Sequence, residues 1–124
     1  MATSRYRDPT LEHLPQLTAE TRDRAVQLIN AARDVGVPLI ITSSRRSVEE
    51  QRRLVEAGRS RTMQSAHLRG EAFDVDVMGL KRDDIPRWWF SALGAYGESL
   101  GLIWGGRWSF YDPGHFELDR RPTF

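Results

Sequence analysis

Ser65-Ala66-His67-Leu68-Arg69-Gly70-Glu71-Ala72-Phe73-Asp74-Val75-Asp76 is the stretch from which the rest of the chain is read. From Glu71 to Met78 the residues alternate, with Phe73, Val75 and Val77 on one face and Ala72, Asp74, Asp76 and Met78 on the other. That is the period of a β-strand. The second face carries two acids, which must meet water, a partner or a metal, and alternation alone does not choose between Asp74 and Asp76. A histidine, His67, stands just before the strand and is followed by a turn glycine. A second constellation lies near the C-terminus: Trp104-Gly105-Gly106-Arg107-Trp108, then Asp112-Pro113-Gly114-His115-Phe116-Glu117. There His115 and Glu117 share one face of a short strand, and Phe116 and Leu118 share the other.

Working outward, Thr18 is the expected N-cap of a helix that runs to about Val35 and ends at Gly36. Ala25, Leu28, Ile29, Ala32 and Val35 recur on it at helical spacing. Residues Val37 to Ser43 form a β-branched run, and Pro38 near its start places it at a sheet edge. Ser47 with Glu50 is a capping box for a second helix to about Ala57, closed by Gly58. Arg46, in the loop between this strand and helix, can reach a carboxylate or a developing oxyanion. By position alone it reads as a solvated surface arginine.

Residues 59–66 read as loop. Asp83 or Asp84 starts a third helix with Pro86 in its first turn, Trp88, Trp89, Leu93, Tyr96 and Leu100 as its apolar face, and Gly101 at its end. Leu102-Ile103-Trp104 is a short strand, Gly105-Gly106 a turn, and Trp108-Ser109-Phe110-Tyr111 its antiparallel return. At the other end, residues 1–17 read as a polar, irregular arm, with Pro9 and Pro15 opposing a helix and Leu11, Leu14 and Leu17 laid across the core. His13, in that arm, reads as a surface or packing residue. The tail from Asp119 is irregular.

The 124 residues suit one domain and no second module. Hydrophobic content of 40% and charged content of 28% are those of an ordinary globular protein. The net charge of +1 and scattered arginines give no reason to expect a nucleic-acid partner. There are no cysteines, so disulfides, thiol nucleophiles and Cys-type metal sites are excluded; any metal must be held by His, Asp or Glu. No apolar h-region stands at the N-terminus and no run approaches a membrane span, so the expectation is a protein made in the cytoplasm, without membrane insertion, and monomeric by default.

A hydrolytic zinc site needs three protein ligands and a position open to water. His67, Asp74 and His115 can supply the three, provided folding joins segments about forty residues apart. A carboxylate must then take a proton from the water and hand it to the leaving amine. Asp112, across a tight turn from His115, is well placed for this; Glu117, on the strand face of His115, competes. Two familiar alternatives are missing, since neither H-E-x-x-H nor G-x-S-x-G occurs.

Ser65-x-His67-x-x-Gly70-x-Ala72-x-Asp74 resembles the first motif of the D-alanyl-D-alanine carboxypeptidase and L-alanyl-D-glutamate endopeptidase superfamily. Trp104-Gly105-Gly106-x-Trp108 with Asp112-x-x-His115-Phe116-Glu117 resembles the second motif of its phage-endolysin branch. Ser44-Arg45-Arg46-Ser47 with Gln51 is similar to the family's G-Y-R-S…Q segment, although Ser44-Arg45 replaces Gly-Tyr. The resemblance runs from about residue 40 to 118. It implies an α+β fold of the hedgehog/DD-peptidase type, a small antiparallel sheet with about three packed helices, serving as a single zinc peptidase catalytic domain without a separate cell-wall-binding domain.

The resemblance further implies Zn2+ held by His67, Asp74 and His115, with Asp74 chosen over Asp76. It makes Asp112 the general base and acid. It also reverses the reading of Arg46, now a catalytic and substrate-binding residue that steadies substrate or transition-state charge, and it makes Ser65 a supporting or substrate-binding residue. The expected activity is hydrolysis of the L-alanyl-D-glutamate bond of peptidoglycan stem peptides by an endolysin that reaches the wall after release from the host cytoplasm. A D,D- or L,D-carboxypeptidase releasing terminal D-alanine is the alternative, and an inactive zinc-stabilised binding module the third reading.

Overall fold

The computed structural model of the chain describes residues 8–121. The start of the expected irregular arm, residues 1–7, and the end of the expected irregular tail, residues 122–124, lie outside the described residues. In chain order the elements are α1 (Thr10–His13), α2 (Ala19–Asp34), β1 (Leu39–Ser43), α3 (Val48–Glu56), β2 (Ala72–Val77), α4 (Arg87–Ser99), β3 (Leu102–Trp104) and β4 (His115–Leu118). Single 3-10 turns at Leu14–Gln16, Ala66–Arg69, Arg82–Asp84 and Gly105–Arg107 connect them. The strands form one sheet in the order β1-β2-β4-β3, and each neighbouring pair is antiparallel. This is the α+β architecture the sequence implied, and β1 stands at an edge, as Pro38 required.

Local chemistry sets the helix starts. The Thr18 side chain accepts the Thr21 N–H, and at α3 the capping box closes both ways: Ser47 Oγ accepts from Glu50 N at 3.1 Å, and Glu50 Oε1 from Ser47 N at 3.3 Å. α4 begins later than expected. Pro86 is its N-cap, and Arg82–Asp84 is a separate turn. The physical reason is Ile85, which precedes proline and is held extended at φ −93°, ψ 122°, so the helix cannot run through it.

The core lies on one face of the sheet. Ala25, Leu28, Ile29 and Ala32 of α2 and Phe90 and Leu93 of α4 pack against Leu39, Ile41, Phe73, Val75 and Phe116. Phe73 and Phe116 stack across β2 and β4 with centroids 5.8 Å apart. The expected apolar face of α4 holds at Leu93, which is buried, and at Trp89 and Leu100, which pack on the core, but Trp88 is 71% exposed and Tyr96 41%, and Phe90, Gly94 and Gly97 complete the buried stripe. The two glycines replace bulk with closeness. A Cβ at Gly94 would lie 2.2 Å from the Trp104 indole, and one at Gly97 would lie 2.5 Å from the Phe116 ring. Two large rings therefore seat directly on the helix backbone, which an aromatic stripe on α4 would have prevented.

Two further expectations change. Residues 108–111 are not a strand: β4 is the antiparallel partner of β3, and N–H groups of the loop turn back onto Gly105. Trp108 N and Asp112 N both donate to Gly105 O, at 3.2 and 3.1 Å, and the Trp104 indole donates to Pro113 O at 2.8 Å. The N-terminal arm is not wholly irregular: α1 and the turn after it precede Leu17. Leu17 is buried and Leu14 packs on the core, but Leu11 is exposed. His13 is a packing residue, 2.6 Å from Ser44 Oγ.

α3 contributes nothing to the hydrophobic cluster among the described residues. Its buried side chain is Gln51, which donates to Thr62 O and Ser60 Oγ and accepts from Arg46 Nη1 at 3.1 Å. That helix therefore braces the loops around the polar face of the sheet. None of the helices of the described residues is long and apolar enough to cross a membrane.

Candidate metal centre

His67 is presented by the Ala66–Arg69 turn. Ser65 caps this turn, its Oγ accepting the His67 N–H at 3.2 Å, so Ser65 acts on the backbone that carries the imidazole. Gly70 then turns the chain into β2 at φ +70°, a conformation that side chains resist, and a Cβ there would lie 2.8 Å from Gln16 O. His67 is 1% exposed, and its Nδ1 lies 2.6 Å from the Ser44 carbonyl. A carbonyl oxygen only accepts, so Nδ1 carries the hydrogen and Nε2 is left to bind.

Asp74 and His115 face one another across β2 and β4 as a register pair, which places both on the face opposite Phe73 and Phe116. Asp74 Oδ1 accepts from His115 Nδ1 at 3.1 Å, and Oδ2 accepts from Arg46 Nη2 at 3.0 Å. His67 Nε2 is 3.3 Å from Asp74 Oδ2 but off a hydrogen-bonding direction. Among the described residues, it is the one buried side-chain polar atom without a hydrogen-bond partner. Together, His67, Asp74 and His115 offer ligand atoms that all lie within 4.8 Å of one another. The fold thus joins the three residues that the two sequence constellations nominated.

The electrostatics favour a cation here. Burial alone would raise the Asp74 pKa, but the hydrogen bond from His115 and the close approach of both imidazoles outweigh it and hold the carboxyl well below the usual range. Burial likewise opposes a charged His115, yet hydrogen bonds to Asp74 and Glu117 hold its pKa up to about 9. Surroundings that retain a proton so firmly are a negative, preformed cage. A buried imidazole nitrogen without a partner, a carboxylate beside it and a second imidazole make an N/O donor set that fits a divalent metal.

Glu117 accepts from His115 Nε2 at 2.8 Å, so it orients the imidazole from behind. Asp76 is turned away and pairs with Arg82 at 3.0 Å. Asp112 lines one cleft with Arg46, Ser65, His67, Trp108 and His115. Gly105 makes room for it, since a Cβ there would lie 2.5 Å from Asp112 O and 3.0 Å from His115 Cβ. The Asp112 pKa is raised, first by burial and then by the Asp74 charge, against the pull of His115, Arg82 and His67. Arg46 is not a solvated surface arginine: its guanidinium links Asp74 to Gln51, and its backbone N–H donates to His67 O at 3.0 Å.

Three contributors had no role assigned to them from the sequence. The Ser44 carbonyl is a backbone group, invisible to any residue pattern. The Trp108 ring sits 4.8 Å from His115, centroid to centroid, although its chain was expected to be a strand. Arg82, at a predicted helix start, reaches Asp112 from outside both motifs.

Fold and site together define a small α+β protein with a His/Asp/His metal-binding group beside a cleft. A family model described as D-alanyl-D-alanine carboxypeptidase matches residues 58–118. An L-alanyl-D-glutamate peptidase of Listeria phage A118 is 32% identical over 125 residues, a match covering 94% of this chain and 43% of the relative. The chain therefore spans less than half the length of that relative. Among solved structures, the Serratia marcescens L-Ala D-Glu endopeptidase ChiX superposes with a TM-score of 0.67 at 27% identity, covering 88% of this chain and 85% of that one. The vancomycin resistance D,D-pentapeptidase VanY, solved with Zn(II), shares the fold at TM-score 0.61 and 18% identity, covering 82% and 72%. The chain is similar in sequence and fold to proteins of the D-alanyl-D-alanine carboxypeptidase and L-alanyl-D-glutamate endopeptidase superfamily, and its His/Asp/His group could hold a metal ion.

Proposed function

We propose that the chain is a zinc-dependent peptidoglycan peptidase that hydrolyses the L-alanyl-D-glutamate bond of stem peptides, with residues 1–124 as a single catalytic domain. One observation carries the reading: the ligand atoms of His67, Asp74 and His115 lie within 4.8 Å of one another, beside a cleft that Asp112 lines. The choice of bond is supported by the names of the Listeria phage and Serratia relatives.

His67 Nε2, the Asp74 carboxylate and His115 Nδ1 would hold the ion. Zinc suits this N/O set and a reaction with no redox step. When bound, such an ion lowers the pKa of water toward about 7 and polarises a carbonyl. The protein residues do the rest. The Ser44 carbonyl and Glu117 fix the two imidazoles in the tautomers that leave one nitrogen of each facing the site. Asp112 takes a proton from the attacking water and returns it to the leaving amine, and its raised pKa suits both halves of that cycle. Arg46 holds Asp74 and brings positive charge to the cleft wall, where developing negative charge on the peptide would meet it.

Digestion of purified sacculi followed by mass spectrometry tests the reading. New N-terminal D-glutamate is the expected product, and unchanged muropeptides would sink the proposal. A second reading, a carboxypeptidase releasing D-alanine, is favoured by the description of the family model. The same digest separates the two, since that activity yields free D-alanine and leaves the L-alanyl-D-glutamate bond whole.

A further inference from the structure

We propose that Arg82 is a positioning residue, which clamps the Asp112-Pro113-Gly114 turn to β2 and so aims the Asp112 carboxylate into the cleft. The inference rests on the reading of Asp112 as the proton carrier. Arg82 belongs to neither sequence motif. It stands on the 3-10 turn between β2 and α4, ahead of the extended Ile85-Pro86 link.

Its guanidinium makes a set of contacts that no other arginine of the described residues matches. Nε and Nη2 donate to Asp76 Oδ1 at 3.1 and 3.0 Å, and Nη2 also donates to Val75 O at 3.1 Å. Nη1 reaches Asp112 Oδ1 at 3.4 Å. Three contacts thus anchor the group on β2, and the fourth, longest one extends to the turn. A planar fork with fixed hydrogens can hold both partners at once, which a lysine ammonium cannot.

Gly114 supplies an independent observation. A Cβ there would lie 2.4 Å from Arg82 Nη2 and 2.6 Å from Val75 O. The glycine therefore leaves the slot through which the guanidinium passes. Gly114 O in turn accepts Val75 N–H at 2.9 Å, so the turn is pinned to β2 by its backbone as well.

The experiment compares Arg82→Lys, Arg82→Ala, Gly114→Ala and Asp112→Asn in the zinc-loaded chain, on a purified disaccharide–stem-peptide fragment. Arg82→Lys and Gly114→Ala are expected to lower kcat by on the order of tenfold to a hundredfold, the scale of an ångström's misplacement, with KM and bound zinc unchanged. Millimolar guanidinium is expected to restore part of the Arg82→Ala rate and none of the Asp112→Asn rate. Arg82→Lys placed on Asp112→Asn should add no further loss. Proportional losses in both backgrounds, or absence of rescue, would overturn the clamp and leave Arg82 a general structural residue.

Crystal structures of wild type and Arg82→Lys give a readout independent of turnover. Displacement of Asp112 from the cleft is expected, and an unmoved carboxylate refutes the positioning role. An inactive wild type with a displaced Asp112 in the variant would refute the peptidase reading while leaving the clamp standing.

Discussion

The two faces of β2 and β4 are built from alternate residues of the same strands, yet they obey different rules. On one face Phe73, Val75 and Phe116 are fully buried among apolar neighbours, and what matters there is volume. On the other, Asp74 and His115 are a register pair whose every polar atom is directed, by Arg46, by Glu117 and by each other. What matters there is the identity and orientation of single atoms. The first face makes the second possible, because a stacked Phe73–Phe116 pair fixes the register that brings Asp74 opposite His115.

Substitutions on each face should separate these roles. The largest effect is expected for Asp112→Asn: a loss of on the order of 10²- to 10⁴-fold in kcat, with melting temperature and bound metal unchanged, read from sacculus digestion and metal analysis. Metal loss in that variant would mean that Asp112 is part of the cage itself. Phe116→Ala, on the opposite face of the same strand as His115, should lower stability by about 3–5 kcal/mol in urea unfolding. It should also weaken metal binding, because the register that supports the site goes with it. If metal binding survived at full strength, the dependence of one face on the other would be wrong.

Glu117→Gln keeps the shape behind His115 and removes the charge. Metal affinity should fall by about 10- to 100-fold in a competition titration, with stability nearly constant.

A smaller and pH-dependent effect is expected at Glu71, which lies just before β2. Its carboxylate accepts hydrogen bonds from Arg120 and Arg69, which hold its pKa below the usual 4.5 against the effect of burial. A depressed carboxylate stabilises the fold above its unfolded pKa, and the contribution disappears as pH falls through the lower folded value. Wild type should therefore lose stability in acid below about pH 4.5, while Glu71→Gln starts about 1–2 kcal/mol lower at neutral pH and shows a shallower acid slope. The smallest effect is expected for Trp88→Ser on the exposed side of α4, within about 0.5 kcal/mol of wild type. A large loss there would restore the aromatic stripe as a packing surface.

Sequence alone determined a good deal here. The caps at Thr18 and Ser47, the alternation of residues 72–77 and the paired placement of His115 and Glu117 depend on neighbours within a few positions, so local chemistry suffices to read them. Resemblance at two motifs supplied the choice of Asp74 over Asp76, which periodicity left open. The tertiary structure decided matters that depend on residues far apart in the chain. The Gly94 and Gly97 seats for Trp104 and Phe116 shifted the buried face of α4 away from Trp88 and Tyr96, because close approach of rings to a helix backbone has no periodic signature. The turn of residues 108–112 onto Gly105 O replaced an expected strand, and the more distant β4 pairs with β3 instead. Arg82 acquired its place beside Asp112 only when folding brought positions 75, 76, 112 and 114 around one guanidinium, and no pattern along a chain encodes a contact shared by two separate stretches of backbone and side chain.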